Sequence, residues 1–196
     1  MNVRILRLCG FFGMLTPVVG FIMVFLAISQ APWFSWTLNA LSDLGVDGFE
    51  AVLFNSGLPL TGAVMMMFSA GLFELTKGST VGRAGSAVHL ASAVLLILIG
   101  VINETIEPWH YVVSFAFFAS LAVMLAIMGA YHWRTNMKRF AILAWSAAAL
   151  GIVIWMLPWR GVALPEAISA LCVSVWQVSL GYWMYTLKEE KEFPRS

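Results

Sequence analysis

Six long apolar stretches, each cut off by prolines, glycines or a cluster of charges, organise the chain. They run over about 6–29, 50–75, 84–103, 110–132, 140–158 and 165–187. A helix needs roughly 20 mostly apolar residues, at about 1.5 Å each, to cross a bilayer, so the pattern predicts six spans joined by short connections. Pro32 with the Trp33–Trp36 cluster closes the first stretch, and Lys77-Gly78-Ser79 separates the second from the third. Pro108 introduces the fourth, the Arg134–Arg139 segment divides it from the fifth, and Pro158 and Pro165 bracket the last loop.

Within the spans, polar and small residues fall at helical spacing. Asn55, Pro59, Gly62, Met66 and Ser69 make one stripe; Ser86, His89, Ala93, Leu96, Gly100, Asn103 and Glu107 make another; Ala170, Ser174, Gln177 and Gly181 make a third. Small residues let helices approach closely in lipid and polar ones find partners across the contact, so each stripe is expected to face the bundle interior. His89 and Gln177 are expected to hydrogen-bond between helices. Asn55, about a turn and a half below the surface, is the polar group best placed to line a site.

Composition sets the class. Of 196 residues, 61% are hydrophobic and 11% charged, against about 25% charged in an ordinary soluble domain. One all-α domain, a six-transmembrane-helix bundle over 1–196, is the expected architecture. With a net charge of +1 and no basic stripe, nucleic acid is not an expected partner. Arg4 and Arg7 ahead of the first span suit an uncleaved signal anchor. Cys9 and Cys172 lie at different depths and are expected to be unpaired.

Charge also orients the bundle. Ten of the eleven Lys and Arg residues fall on one side and only Arg160 on the other, which predicts cytoplasmic termini in the cell membrane, with the mixed-charge tail from Lys188 to Ser196 as a polar end. Trp33, Trp36, Trp109, Trp155 and Trp159 are expected in the outer aromatic belt, and Tyr131, Trp133, Trp183 and Tyr185 in the inner one.

The opposite, outer face holds the candidate chemistry. The 30–49 loop brings Asn39, Ser42 and Asp43, and the turn before the fourth span brings Glu104, Glu107 and His110, with Ser114 one turn on. Asp47, Glu50 and Glu166 read equally as residues that solubilise loops. Asp43 and His110 are candidates for general acid–base work, with Asn39, Ser42, Asn55, Glu104 and Glu107 holding a ligand. Asp43, Glu104 and His110 are the only candidate metal ligands, without the spacing of a structural zinc site. A carboxylate cap on loop amides is the structural alternative. Haem would need two axial ligands at matched depth; only His89 and His132 share an end, and His132 is expected at the interface beside Tyr131 and Trp133. No cofactor is identified.

The segment Asn39-Ala40-Leu41-Ser42-Asp43-Leu44-Gly45, followed by Phe54-Asn55 and Gly57, resembles the signature of the membrane family called domain of unknown function 998, and more distantly the Frag/DRAM-type membrane proteins. Gly13, Pro17 and His110 fit the same resemblance. It implies a six-helix fold and an outer site at Ser42, Asp43, Asn55 and His110, and it implies no activity. Three functions follow as expectations: an outward-facing pocket that binds or modifies a lipid or other small amphipathic molecule; a structural or partner-binding bundle in which Ser42-Asp43 is a helix cap; and, third, a channel or transporter.

Overall fold

A computed structural model of the chain describes residues 2–188. The tail beyond Lys188, expected as a polar end, lies outside the described residues. These fold into six α-helices: α1 (Val3–Gln30), α2 (Gly48–Leu75), α3 (Thr80–Val101), α4 (Trp109–Arg134), α5 (Lys138–Trp155) and α6 (Ala163–Tyr185), with one 3-10 turn at Ser42–Gly45. All six helices are long and apolar enough to cross a membrane. The chain is an all-α, multi-pass membrane protein.

Local chemistry explains where the helices start and stop. The Asp47 side chain accepts from Gly48 N at 2.8 Å and caps α2. Ser79 accepts from Gly82 N at 3.2 Å, so α3 begins four residues earlier than its apolar run. α5 ends at Trp155, short of the expected 158, because Pro158 has no amide hydrogen to continue the ladder.

Each helix packs on its neighbours in sequence, and α6 returns to α1, closing a ring. Glycines draw the ring tight at the end that carries the termini. A Cβ on Gly10 would lie 2.5 Å from the Gly181 carbonyl oxygen, and one on Gly181 would lie 2.7 Å from the Gly10 carbonyl oxygen, so α1 and α6 cross backbone to backbone. Gly129 of α4 likewise lies flat against the Trp145 indole of α5. Toward the other end the α5 surface is less tightly packed: a Cβ on Gly151 of α5 would meet nothing within 4 Å. The ring is therefore closed at one end and open at the other.

Its centre is filled by Phe68, Met124, Leu125, Met128, Trp176 and Leu180, all fully or almost fully buried. The polar stripes meet there as expected. Gln177 Nε2 donates to Gly13 O at 3.2 Å, which turns its Oε1 toward His89 Nε2, also at 3.2 Å. Since an amide oxygen only accepts, the ring proton sits on Nε2 and the Ser69 hydroxyl donates to Nδ1 at 2.7 Å. α1, α2, α3 and α6 are tied through one side-chain chain. Gln177→Leu should strand the His89 N–H and the Gly13 carbonyl and lower stability by about 1–2 kcal/mol. Thermal unfolding in detergent measures it, and an unchanged midpoint would show that the network is not tying these helices.

Three expectations change. His132 is fully buried among the Tyr131, Phe140 and Trp176 rings, not interfacial, because it continues the inward stripe of Leu121, Leu125 and Met128 on α4. Tyr131 belongs to the interior as well, its hydroxyl donating to Leu75 O at 2.9 Å, whereas Trp133 and Tyr185 are exposed as belt residues should be. In α2 the inward register passes through Met65, leaving Met66 exposed.

Candidate functional site

At the open end, the 31–47 loop folds over the α5–α6 connection. Gly161 N donates to Thr37 O at 3.0 Å and Ala163 N to Asn39 O at 2.9 Å. Asn39 holds the loop's own shape: its Oδ1 accepts from Ser35 N at 2.9 Å, and its Nδ2 donates to Asp43 Oδ2 at 2.6 Å. The same Asp43 oxygen accepts from Ala40 N at 3.1 Å. Asn55 Nδ2 donates to Gly45 O at 2.8 Å and pins the 3-10 turn to α2, where Gly45 has no room for a side chain beneath the Asn55 Oδ1. The turn is held from both sides, and Ser42 is the member it presents inward.

Beneath Ser42 lies a cavity of about 610 Å³ bounded by α4, α5 and α6. That size is within the roughly 300–1,000 Å³ of small-molecule sites. Its polar end is made by Ser42, Glu104, Glu107, His110 and Glu166, and its walls by apolar side chains such as Phe118, Leu121, Leu125, Ala148 and Val173. Exposed members of the lining include Tyr111, Phe115 and Ala119 from α4, Ile152 and Trp155 from α5, and Met156 just after it. The cavity therefore opens sideways between α4 and the end of α5.

His110 is buried at the start of α4, its Nδ1 2.6 Å from Ile102 O. A carbonyl oxygen only accepts, so Nδ1 carries a hydrogen and, in the neutral ring, Nε2 is an acceptor 3.3 Å from the Ser114 hydroxyl. Glu166 is buried at the start of α6, and its Oε2 accepts from Leu41 N at 2.7 Å, joining helix to loop. Glu104 has a buried Oε2 without a hydrogen-bond partner. Burial, and after it the charge of nearby Asp43, raises the Glu104 carboxyl above the usual carboxylate range; Ser42 and His110 pull the other way.

The structure thus gathers four of the seven sequence candidates, Ser42, Glu104, Glu107 and His110, on one cavity wall. Asn39, Asp43 and Asn55 do not line it; Asn39 and Asp43 Oδ2 bond within the loop, and Asn55 Nδ2 bonds to Gly45 O while its Oδ1 has no partner. Asp43, Glu104 and His110 form no metal-holding set: among the described residues no group of three His, Cys, Asp or Glu side chains could hold a metal ion. Two further lining residues lie outside the seven candidates. Glu166, which reads from the sequence equally as a loop solubiliser, extends the Ala170, Ser174, Gln177 stripe by one helical step. Trp155 is exposed, as a belt residue should be, and it also lines the cavity and donates to Ser169 Oγ at 2.9 Å.

Comparison with known families matches residues 14–183 to the family described as protein of unknown function (DUF998). No curated protein and no solved structure matches the chain.

Proposed function

The chain belongs to the DUF998 family, and from that premise we propose that this member binds one amphipathic molecule, a lipid of the surrounding bilayer, in the side-opening cavity. The observation that carries the reading is the cavity's own polarity: a compact polar end at Ser42, Glu104, His110 and Glu166, continuous with apolar walls that open toward hydrocarbon between α4 and α5. A purely polar molecule would leave the walls unmatched, and a purely apolar one would leave the carboxyls unpaired. Because Lys and Arg are concentrated at the opposite end of the bundle, the site belongs on the outer face of the cell membrane, with cytoplasmic termini.

The lining also favours one kind of head group. It holds three carboxyls, Glu104, Glu107 and Glu166, and neither Lys nor Arg, so it offers hydrogen-bond acceptors and negative charge. Head groups that donate, such as hydroxyl-rich or ammonium groups, fit; phosphate or carboxylate heads would face like charge. Any proton exchanged with the ligand would pass through Glu104 or His110 Nε2, which line the cavity, whereas Asp43 does not line it and its Oδ2 is engaged by Asn39 and Ala40.

Displacement of a fluorescent lipid probe by dodecylamine and by dodecyl phosphate, both below micelle-forming concentration, tests this. The amine should compete at least about tenfold better, a difference of about 1.4 kcal/mol. Equal competition, or none by either, would refute the reading. The pH response has a definite sign. An ammonium head favours ionised Glu104, whose carboxyl is raised above its ordinary range; amine binding should therefore strengthen as pH rises through that titration, and Glu104→Gln should reduce the dependence, leaving the part that Glu166 contributes from the same polar end. A curve unchanged by Glu104→Gln would remove Glu104 from the head-group contact.

The second reading, in which Ser42-Asp43 is a structural element, is favoured by the loop geometry for Asp43 alone. Asn can accept the same two hydrogen bonds through its amide oxygen. Asp43→Asn should leave folding and probe binding near wild type, while Asp43→Ala, which frees Ala40 N and Asn39, should lower stability by about 1–3 kcal/mol. Loss of binding in a well-folded Asp43→Asn would instead return Asp43 to the ligand.

A further inference from the structure

A second cavity, of about 190 Å³, lies on the other side of α6, walled by α1, α2, α3, α4 and α6. It opens sideways beside Phe25, which is exposed on α1. The two cavities share six lining residues: Ser42, Ser114 and Glu166 at the polar end, and Phe118, Leu121 and Val173 below them. α4 and α6 make only slight contact, and the last three side chains are the partition between two apolar lobes that meet under one polar end.

We infer that the ligand of this site is a two-chain lipid that straddles the Phe118–Leu121–Val173 partition, one chain in each lobe, with its head group at Ser42 and Glu166. The inference rests on the lipid-binding reading above and adds the number of chains. Length supports it. The first lobe follows α4 from His110 to Leu125 and the second follows α6 from Glu166 to Gln177, which at about 1.5 Å per residue are roughly 22 and 16 Å. One leaflet of hydrocarbon is about 15 Å deep, so the first lobe runs the depth of an acyl chain, while the second, at about 190 Å³, takes the part of a chain nearest the head group and lets the rest leave beside Phe25. A single-chain amphiphile would fill one lobe and leave the other to be filled separately. The open sides, between α4 and α5 and beside α1, lie on different flanks of the ring and admit the two chains without threading either through a closed pore.

The test compares a monoglycosyl diacylglycerol with its single-chain lyso form, read by native mass spectrometry and by displacement of the fluorescent probe. Wild type should retain the two-chain form about tenfold more tightly, since a second buried chain adds apolar contact. Gly151→Leu places a side chain into open space in the first lobe, and Ala170→Leu fills the second. Each variant should lose the two-chain preference, binding the two forms with similar affinity; their thermal midpoints establish that they fold. Lyso and two-chain lipids bound equally by wild type would overturn the two-chain inference and leave the lipid-binding reading standing. Preference lost in Gly151→Leu but kept in Ala170→Leu would also overturn it, because the second lobe would then be unused. Failure of wild type to bind either form would overturn both.

Discussion

Gly181→Leu is expected to prevent the ring from closing and to yield little or no monodisperse protein. The helix crossing at Gly181 is set by backbone, since its Cβ would approach the Gly10 carbonyl oxygen to 2.7 Å and Gly13 backbone atoms to 3.3 Å. A flexible side chain could rotate away, but a helix carbonyl can move only with its helix. Overpacking a core ordinarily costs about 1–3 kcal/mol, and a contact that must separate two spans belongs at or above the top of that range. The displacement would propagate, because the Gln177 amide reaches the Gly13 carbonyl across the same crossing. Gly151→Leu is the matched comparison: identical in chemistry, it meets nothing within 4 Å and should stay within about 0.5 kcal/mol of wild type. Size-exclusion profiles and thermal midpoints of the two variants decide the matter. A well-behaved Gly181→Leu protein would mean that α1 and α6 do not cross where the glycines place them.

The spans were legible because the signal that sets them is local. Apolar runs interrupted by Pro108, Pro158 or the Lys77-Gly78-Ser79 turn leave little freedom in a bilayer, where backbone groups must be satisfied within the helix. The inward face of α3 was legible for a related reason: Ser86, His89, Ala93, Leu96 and Gly100 are all buried, as their spacing requires. Positions near span ends were harder. Tyr131 and His132 have the composition of a belt, and only the packing of α4 against its neighbours reveals that they point inward.

The site was half legible, and the division has a physical cause. Ser42, Glu104, Glu107 and His110 sit at the correct end of the bundle by span order alone, so depth placed them. Depth does not say whether a polar group has an internal partner. Asn39, Asp43 and Asn55 share the depth of the site, but their hydrogen bonds close the loop upon itself and upon α2. The contribution of Glu166 needs a contact across 125 positions, from its carboxylate to Leu41 N, which no local pattern encodes. Its alignment with Ser169, Val173 and Gln177 along one side of α6 was the available clue.

Glu166 is where loop, helix and both cavities come together, and replacing it should have the largest effect on binding. Glu166→Leu removes the acceptor of Leu41 N and the buried carboxylate in one step. Stranding that amide costs about 1–3 kcal/mol, and losing the charge-assisted partner should weaken an ammonium or sugar head group by at least about tenfold. The two losses separate in Glu166→Gln, whose amide oxygen can still accept from Leu41 N while the ionisable carboxyl is gone. Its thermal midpoint should therefore stay near wild type, and dodecylamine binding should fall. A neutral sugar head group, which needs an acceptor more than a charge, should lose less than the amine in this variant. If Glu166→Gln binds the amine as tightly as wild type while Glu166→Leu does not, the carboxylate acts by holding the loop that presents Ser42, and head-group selection rests on Glu104. If both variants fall together at unchanged stability, Glu166 meets the ligand directly, at the point from which the two lobes diverge.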